Sequence, residues 1–545
     1  MTRTRTPSLV NNINLLHPIK KIDVFFAAAV FLAGLTLYIR TLAPDLLLGD
    51  SAEFQTLAYT LGMTHPTGYP IYLFLAHLFS YLPIGDMAWR VNLFSAFSGA
   101  IALGFIYLIL RLLVGWRLAA FSGTFTLAIT SLFWVHSIVA EVYTLACAFI
   151  AMIVFLTLMW RATNKPGYLF AAALLGGISL GVHVQVALLF PGILLYLLLN
   201  LRNRKIWLIS LALCLAGVFV YVISMIALDT YSYKTDVGYY KTTVRHSLSA
   251  WNMTGADFDT TSKRLRFMWL PPQFSNSLVS DKGFFASANI ETYRKLVEKD
   301  IPLMPFMLML IGVFALISIK WHELVFLLIS LIVQLIFALH YRVTDFIAFF
   351  TPSFIFTSIL IGVGLGRVMN LANWIKSNYS GSSWFVRNVR VIIVGSAVVI
   401  LGILMGERTS IILPAWRTRQ PAFLGWQEFN TLYPYLMDNS QSAHDKAVEL
   451  VNDLENNSLV FTNWAELYSY VYVASLQQKR IDLDFYQAYP EEDILSASMA
   501  DFISNNVGVR PIYFTIKPMG GQSRKFEFIT IRKGGKTLYQ VGGEQ

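Results

Sequence analysis

Long apolar runs recur along most of this 545-residue chain, and they constrain its fold more than any other feature. A helix that crosses the hydrocarbon of a bilayer needs about 20 mainly apolar residues, with a range of about 17 to 25. Such runs cover residues 22–40, 92–114, 117–135, 138–160, 167–184, 185–200, 206–228, 302–319, 322–340, 347–368 and 390–406. The sequence therefore predicts a polytopic all-α membrane bundle with about eleven transmembrane helices. No polar loop separates 167–184 from 185–200, so the boundary between these two spans is not fixed.

Charged residues between the runs predict an orientation. Only 14% of residues are Asp, Glu, Lys or Arg, against about 25% in soluble proteins. If the N-terminus is cytoplasmic, most Lys and Arg of the connections fall on its side of the membrane, and acids such as Asp50, Glu141 and Asp345 fall on the other. Because cytoplasmic loops are enriched in Lys and Arg, we expect a cytoplasmic N-terminus, in a bacterial cytoplasmic membrane. The net charge of +10 then reflects membrane topology, and we expect no nucleic-acid partner.

The chain is predicted to have two domains. Residues 1–406 hold the apolar runs, whereas residues 407–545 gain charged residues and asparagine and lose long apolar runs. Short strand patterns alternate with helical patterns in the second part, which favours a small α/β fold. We therefore expect a transmembrane domain followed by an extracytoplasmic α/β domain.

The first extracytoplasmic loop, residues 41–91, contains two short amphipathic or apolar helical patterns. Neither is long enough to span, so the first is expected to lie at the membrane interface and the second to be an interfacial or re-entrant helix. Asp50 and Glu53 stand three residues apart at the start of the first pattern, which fits an N-terminal capping box. A carboxylate at the outer membrane surface could also accept a proton from an attacking hydroxyl. The capping and catalytic interpretations of Asp50 are compatible.

Three segments resemble a known family. They read GDSAEFQTLAYTLGMTHPTGYPIYLFLAHLFSYLPIGDMAWRVNLFSAFSGAIALGFIYLIL from residue 49, HYRVTDFIAFFTPSF from residue 340 and DKAVELVNDLENNSLVFTNWAELYSYVYVASLQQKR from residue 445. The first resembles the signature of the DUF2723 membrane proteins, which are grouped with protein O-mannosyltransferase-like enzymes of the GT-C superfamily. The other two resemble a second landmark and the outer tail of that family.

The resemblance implies a GT-C-like fold and a sugar-transfer reaction. Enzymes of this superfamily move a sugar from a polyprenyl-phosphate carrier to an acceptor on the non-cytoplasmic face, and an acid in the first outer loop usually carries the chemistry. Carried onto this chain, that acid is Asp50, with Glu53 as helper or alternative. The family grouping suggests mannose, while the acceptor could be a protein, a glycan or a lipid. No tightly bound cofactor is implied, and no HExxH, DxD or clustered His and carboxylate spacing in an outer loop supports a metal site.

Five further residues are candidates for binding the donor phosphate or substrate: His65, Arg90, Tyr341, Arg342 and Asp345. Each has a structural alternative. His65 precedes a proline in a turn, Arg90 could extend towards lipid headgroups, and an Arg342–Asp345 ion pair could simply fix its loop. A transporter or lipid-carrier flippase is the alternative function, although the spans carry few mid-membrane charges and show no half-to-half repeat.

Overall fold

Apolar helices occupy most of the membrane part of the computed structural model. It describes residues 16–274, 285–343, 345–378, 443–490 and 494–545, with scattered positions between 384 and 402. The helices before the tail are α1 (Lys21–Arg40), α2 (Gly49–Thr60), α3 (Pro70–Ser80), α4 (Met87–Leu113), α5 (Arg117–Ala128), α6 (Ser131–His136), α7 (Tyr143–Thr163), α8 (Pro166–Ile178), α9 (Phe190–Asn200), α10 (Arg204–Thr235), α11 (Thr261–Trp269), α12 (Ser287–Asp300), α13 (Leu303–Ile319), α14 (Trp321–His340) and α15 (Thr351–Asn378).

Six of the described helical segments are long and apolar enough to cross a membrane, and they include α1, α4, α7, α10, α14 and most of α15. A seventh is possible if α12 and α13, which meet at 100°, form one broken span. The predicted run 117–135 is interrupted between α5 and α6, and the runs 167–184 and 185–200 form shorter apolar helices. The run 390–406 lies outside the continuously described residues. The number eleven therefore stays a prediction.

Burial separates the central helices from the peripheral ones. Most side chains of α7 and of the first half of α15 are buried, whereas α1 and α10 are mainly exposed. The exposed face of α10 carries large apolar side chains, including Leu208, Leu215 and Phe219. A helix with such a face in a folded chain is suited to lipid contact.

Glycines allow two close helix crossings in the bundle. A Cβ atom on Gly177 of α8 would lie 2.1 Å from the carbonyl oxygen of Cys214 in α10. A Cβ atom on Gly364 of α15 would lie 1.8 Å from the carbonyl oxygen of Leu308 in α13. Small residues at such crossings let helix backbones approach closely in membrane proteins.

The tail folds into a small mixed sheet flanked by helices. The strands are β1 (Leu459–Thr462), β2 (Asp484–Gln487), β3 (Ile512–Phe514), β4 (Phe526–Lys533) and β5 (Lys536–Glu544), and the helices are α16 (Ala443–Asp453), α17 (Trp464–Val471) and α18 (Ala497–Ser504). The strand order is β2-β1-β3-β5-β4, with β1 parallel to both neighbours and β5 antiparallel to both of its own. The predicted C-terminal sheet is thus confirmed, while the predicted boundary at residue 406 lies outside the continuously described residues.

The tail packs directly on two loops of the membrane part: the first loop, residues 41–91, and a second loop, residues 236–260, which follows α10. Helix α17 contacts α2 of the first loop. In the second loop, Lys241 forms an ion pair of 2.6 Å with Asp484 of β2, and the Ser249 and Ser498 hydroxyls are 2.8 Å apart. These contacts bring residues from opposite ends of the sequence to one site.

Candidate functional site

Helix α2 begins without the predicted capping box, and this prediction is wrong. Its N-cap position is Leu48, whose side chain makes no capping hydrogen bond, and Asp50 already lies in the first helical turn. The chain enters the helix through Gly49, whose φ of +61° is a conformation that glycine adopts without steric penalty. Asp50 and Glu53 are therefore free to make other contacts.

The two acids of α2 converge on one histidine. Residues three apart lie on the same face of a helix, and both carboxylates point to His65 in the turn that follows α2. The Glu53 carboxylate accepts the backbone N–H of His65 at 2.8 Å and lies 2.5 Å from its Nδ1. The Nε2 atom of His65 lies 3.7 Å from Oδ2 of Asp50 and 3.2 Å from the Tyr69 hydroxyl. We call Asp50, Glu53, His65 and Asp345 the acid–histidine cluster.

The two acids differ in their access to solvent. The Glu53 side chain is 0% exposed, whereas the Asp50 side chain is 29% exposed. Glu53 therefore cannot reach an incoming substrate without displacing His65, and we interpret it as the partner that orients His65. Asp50 is the acid of α2 that can meet a substrate.

Electrostatics keep His65 protonated. Burial opposes its charge, but the carboxylates of Glu53 and Asp50 outweigh burial and raise the pKa of His65 to about 10. Burial also raises the pKa of Glu53, against the effect of the His65 charge. With two acids beside the imidazole, we place the proton on His65 at neutral pH. His65 is thus a cation and hydrogen-bond donor, and it is not suited to be a base.

The segment between α14 and α15 brings Asp345 and Tyr341 to the same place. Burial and the neighbouring Asp50 charge raise the pKa of Asp345 to about 6, with His65 acting in the opposite direction. Burial and Asp345 raise the pKa of Tyr341 to about 12. Arg342 lies on this segment beside Tyr341. Asp345, after α14, therefore lies close to Asp50 and His65 of the segment around α2.

Arg90 does not join this cluster. Its guanidinium donates to three backbone carbonyls of the connection between α3 and α4: Ile84 at 2.9 Å, Ser80 at 2.8 Å and Gly85 at 3.0 Å. These bonds fix the loop and orient the guanidinium away from a ligand role. We therefore interpret Arg90 as a structural residue of this loop, while its binding of phosphate stays a prediction.

Sequence reasoning missed two residues of the site. The indole Nε1–H of Trp464 donates to Oδ1 of Asp50 at 2.7 Å. Tyr468, one turn further along α17, is buried, and burial together with the Glu53 charge raises its pKa well above the ordinary value. Both residues lie more than 400 positions from α2, so no local pattern could have connected them with Asp50.

Two further polar residues lie next to the cluster. Glu141 accepts a hydrogen bond from Ser51 at 3.3 Å, and burial together with Asp50 raises its pKa well above the ordinary value. His183 stacks on Tyr69 with ring centroids 5.8 Å apart. Within the described residues, no group of three or more His, Cys, Asp or Glu side chains is arranged to hold a metal ion.

Comparison with known sequences identifies similar proteins over the first part of the chain. Residues 50–207 match the family model of the protein O-mannosyl-transferase TMEM260 N-terminal domain. Protein O-mannosyl-transferase TMEM260 of Mus musculus is 30% identical over 206 residues, which cover 36% of this chain and 29% of that protein. The Dictyostelium discoideum protein of the same name is 30% identical over 141 residues, covering 25% of this chain and 17% of its own length. The chain therefore matches less than a third of the length of these relatives.

Solved structures match over nearly the whole chain. ArnT from Cupriavidus metallidurans bound to undecaprenyl phosphate has a TM-score of 0.57 at 12% identity, covering 95% of this chain and 98% of that one. The apo state of the same protein gives a TM-score of 0.55 at 12% identity, with 95% and 97% covered. The chain thus shares the fold of ArnT, and its long apolar helices are those of a multi-pass integral membrane protein.

Proposed function

We propose that this protein is a membrane glycosyltransferase that moves a sugar from a polyprenyl-phosphate carrier to an acceptor on the extracytoplasmic face. The observation that carries the proposal is the pairing of an accessible carboxylate, Asp50, with a protonated histidine, His65, at 3.7 Å. Support comes from the fold of a protein solved with undecaprenyl phosphate and from relatives named as protein O-mannosyl-transferases. Mannose is accordingly the proposed sugar, and a protein hydroxyl is the proposed acceptor.

In the proposed reaction, Asp50 is the general base. Its Oδ2 atom takes the proton of the acceptor hydroxyl while the hydroxyl oxygen forms a bond to the anomeric carbon. The bond between that carbon and the carrier phosphate breaks, and the electron pair leaves with the phosphate. The sugar is transferred with inversion, and the products are the glycosylated acceptor, polyprenyl phosphate and a protonated Asp50.

His65, Arg342 and Tyr341 act on the donor phosphate in this proposal. The imidazolium of His65 offers a charged donor to the leaving phosphate, and charge-assisted hydrogen bonds of this type are stronger than neutral ones. Arg342 and Tyr341 approach from the segment before α15, where a planar guanidinium could bind phosphate oxygens. Glu53 holds the His65 ring through Nδ1 at 2.5 Å.

The test is donor-dependent release of the carrier. Purified full-length protein in lipid nanodiscs is incubated with a Ser/Thr-containing peptide and a panel of polyprenyl-phosphate sugars, and free polyprenyl phosphate is measured. Asp50→Asn keeps the volume of the side chain but removes the base, and we expect kcat to fall by about 10²- to 10⁴-fold. Asp45→Asn is the matched control, because Asp45 lies in the same loop but its carboxylate contacts His444, at 3.4 Å.

The outcomes separate the alternatives. Release with one donor, its loss in Asp50→Asn and its retention in Asp45→Asn support the proposal. If no donor releases polyprenyl phosphate, or if Asp50→Asn turns over at the wild-type rate, the proposed reaction or its base is wrong. Protein-dependent movement of the lipid carrier between vesicle leaflets, without turnover, would favour a flippase.

A further inference from the structure

The C-terminal domain reaches the proposed base directly. Trp464 is the first residue of α17, and its helix start is fixed by Asn463, whose side chain accepts the Glu466 N–H at 3.0 Å. From this position the indole donates its only N–H to Oδ1 of Asp50 at 2.7 Å, while its ring lies edge-on to His65 with centroids 5.7 Å apart. One side chain of the tail thus contacts two members of the acid–histidine cluster.

This hydrogen bond divides the roles of the two Asp50 oxygens. Oδ1 is held by the indole, which leaves Oδ2 on the side of His65, at 3.7 Å. Rotation about the terminal torsion of an aspartate is soft, so a carboxylate without the indole donor would sample other orientations. A base has to meet its proton within about 2.6–3.2 Å, and a misplacement of about 1 Å can cost about 100-fold in rate.

Trp464 is itself held by contacts from both outer loops. Tyr239 of the second loop and Tyr468 of α17 pack edge-on against it, with centroids 6.0 and 5.6 Å away. The Thr56 hydroxyl of α2 lies 3.3 Å from the carbonyl oxygen of Tyr468, and the Tyr468 hydroxyl lies 3.1 Å from that of Thr242. The indole therefore cannot move away from Asp50 unless α17 moves away from α2.

We infer that Trp464 is a positioning residue for Asp50, so that the C-terminal domain completes the transfer site and is required for the chemical step. This inference rests on the proposed role of Asp50 as base. The role of the tail in orienting Asp50 would be the same whichever acceptor the protein uses. It also predicts that the membrane part with an undocked tail binds donor but transfers slowly.

Two substitutions of Trp464 separate donation from packing. Trp464→Phe keeps an aromatic ring and removes the N–H. Trp464→His loses the six-membered ring but keeps a donor, because the imidazole Nε2 stands at the same ring position as the indole Nε1. Tyr470→Phe is the control: it removes a polar group from the same helix, where the hydroxyl contacts Lys536 at 3.1 Å and faces the tail sheet.

The measurement is the kcat and KM of donor-dependent carrier release, with the thermal unfolding midpoint of each variant. We expect Trp464→Phe to lower kcat by about 10- to 100-fold and to change the donor KM by less than about 3-fold. Trp464→His should recover most of kcat although it packs less well, and Tyr470→Phe should resemble the wild type. In an Asp50→Asn background, Trp464→Phe should cause no further loss, because the group it positions is gone.

Each other outcome overturns a defined statement. If the wild type is active and Trp464→Phe keeps the wild-type kcat, or changes only KM, the positioning role is wrong while the proposed function stands. If Trp464→His loses more activity than Trp464→Phe even at a pH where the new imidazole is neutral, packing and not donation is what Trp464 supplies, and the inference is equally wrong. A wild type that releases no carrier from any donor overturns the proposed function and this inference with it.

Discussion

Replacing Glu53 by glutamine tests whether the buried pair with His65 is ionic. The Glu53 side chain is 0% exposed and its carboxylate lies 2.5 Å from Nδ1 of His65. Glutamine has nearly the same volume and can still accept the His65 backbone N–H, so the substitution removes the negative charge without opening a cavity. The imidazolium then loses its nearest counter-ion.

The size of the effect follows from the pKa of His65, which is raised from 6.5 to about 10 by Glu53 and Asp50 against the opposing effect of burial. At about 1.36 kcal/mol per pKa unit, this shift corresponds to about 5 kcal/mol of stability for the protonated form. Burial of Glu53 acts in the opposite direction, since it raises the pKa of that acid. Removing one partner of a buried ion pair typically costs about 3–5 kcal/mol, and we expect a loss in this range at pH 7.

The stabilisation by the His65–Glu53 pair should decrease as the pH rises. A histidine whose folded-state pKa lies above its unfolded value stabilises the protein fully below pH 6.5, and this contribution is lost as the pH rises towards 10. The thermal unfolding midpoint of the wild type should therefore decrease as the pH rises from 6.5 to 10. In Glu53→Gln the histidine has lost its main counter-ion, so the variant should show a smaller fall. The difference between the two proteins is expected to be largest at pH 6–7 and to shrink towards pH 10.

The assay is thermal unfolding of purified protein in one detergent at pH 6.5, 8 and 10. At about 2 °C per kcal/mol for a large chain, Glu53→Gln should lower the midpoint by about 6–10 °C at pH 6.5. Glu298→Gln is the matched control, because it makes the same chemical change in an exposed pair with Arg294 and should shift the midpoint by about 1 °C or less. An unchanged midpoint in Glu53→Gln, or a loss of equal size at all three pH values, would refute the ionic pair.

Three further substitutions test the donor side, the acid cluster and the helix packing. Arg342→Gln should raise the donor KM by about 10- to 100-fold in the carrier-release assay, because a charge-assisted hydrogen bond contributes about 1.5–3 kcal/mol. An unchanged KM would show that Arg342 does not bind the donor phosphate. Asp345→Asn should raise the unfolding midpoint at pH 8 but not at pH 4, because the pKa of Asp345, raised to about 6, makes its ionised form destabilising above that pH. Gly177→Ala should lower the yield of monodisperse protein in size-exclusion chromatography, since its Cβ would meet the Cys214 carbonyl at 2.1 Å, whereas Gly167→Ala, with nothing within 4 Å, should behave as wild type.

Apolar length predicted the helices well where the run has an uninterrupted helical backbone. Helices α1 and α10 contain the whole of the predicted runs 22–40 and 206–228. Helix α7 contains the predicted run 138–160 from residue 143 onwards. Composition cannot show where a run breaks, and the run 117–135 breaks at Ile129 and Thr130 between α5 and α6. Hydropathy reports the environment of a segment, whereas the break depends on backbone contacts made by other helices.

The part of the candidate site that is formed by neighbouring residues was predictable from local spacing. Asp50, Glu53 and His65 lie within 16 residues of each other, and helical spacing places both acids on one face. The N-cap assignment failed because a positive φ at Gly49 starts the helix without a side-chain cap. The contact of Trp464 with Asp50 depends on how the tail packs on α2, and no periodicity in either segment encodes it.

The hydrogen-bond donor to Asp50, the Trp464 indole N–H, is uncharged, which is consistent with the proposed role of Asp50 as a general base. A lysine or arginine in the place of Trp464 would also orient the carboxylate, but its full charge would make the carboxylate a poorer proton acceptor. The nearest cation, His65, is held at 2.5 Å by Glu53 and stands further away from Asp50, at 3.7 Å. Its charge is therefore balanced mainly by the buried acid, while Asp50 receives orientation from the indole at 2.7 Å. In the proposed reaction, Glu53 thus fixes the His65 cation for the donor phosphate, and Trp464 fixes the Asp50 base for the acceptor.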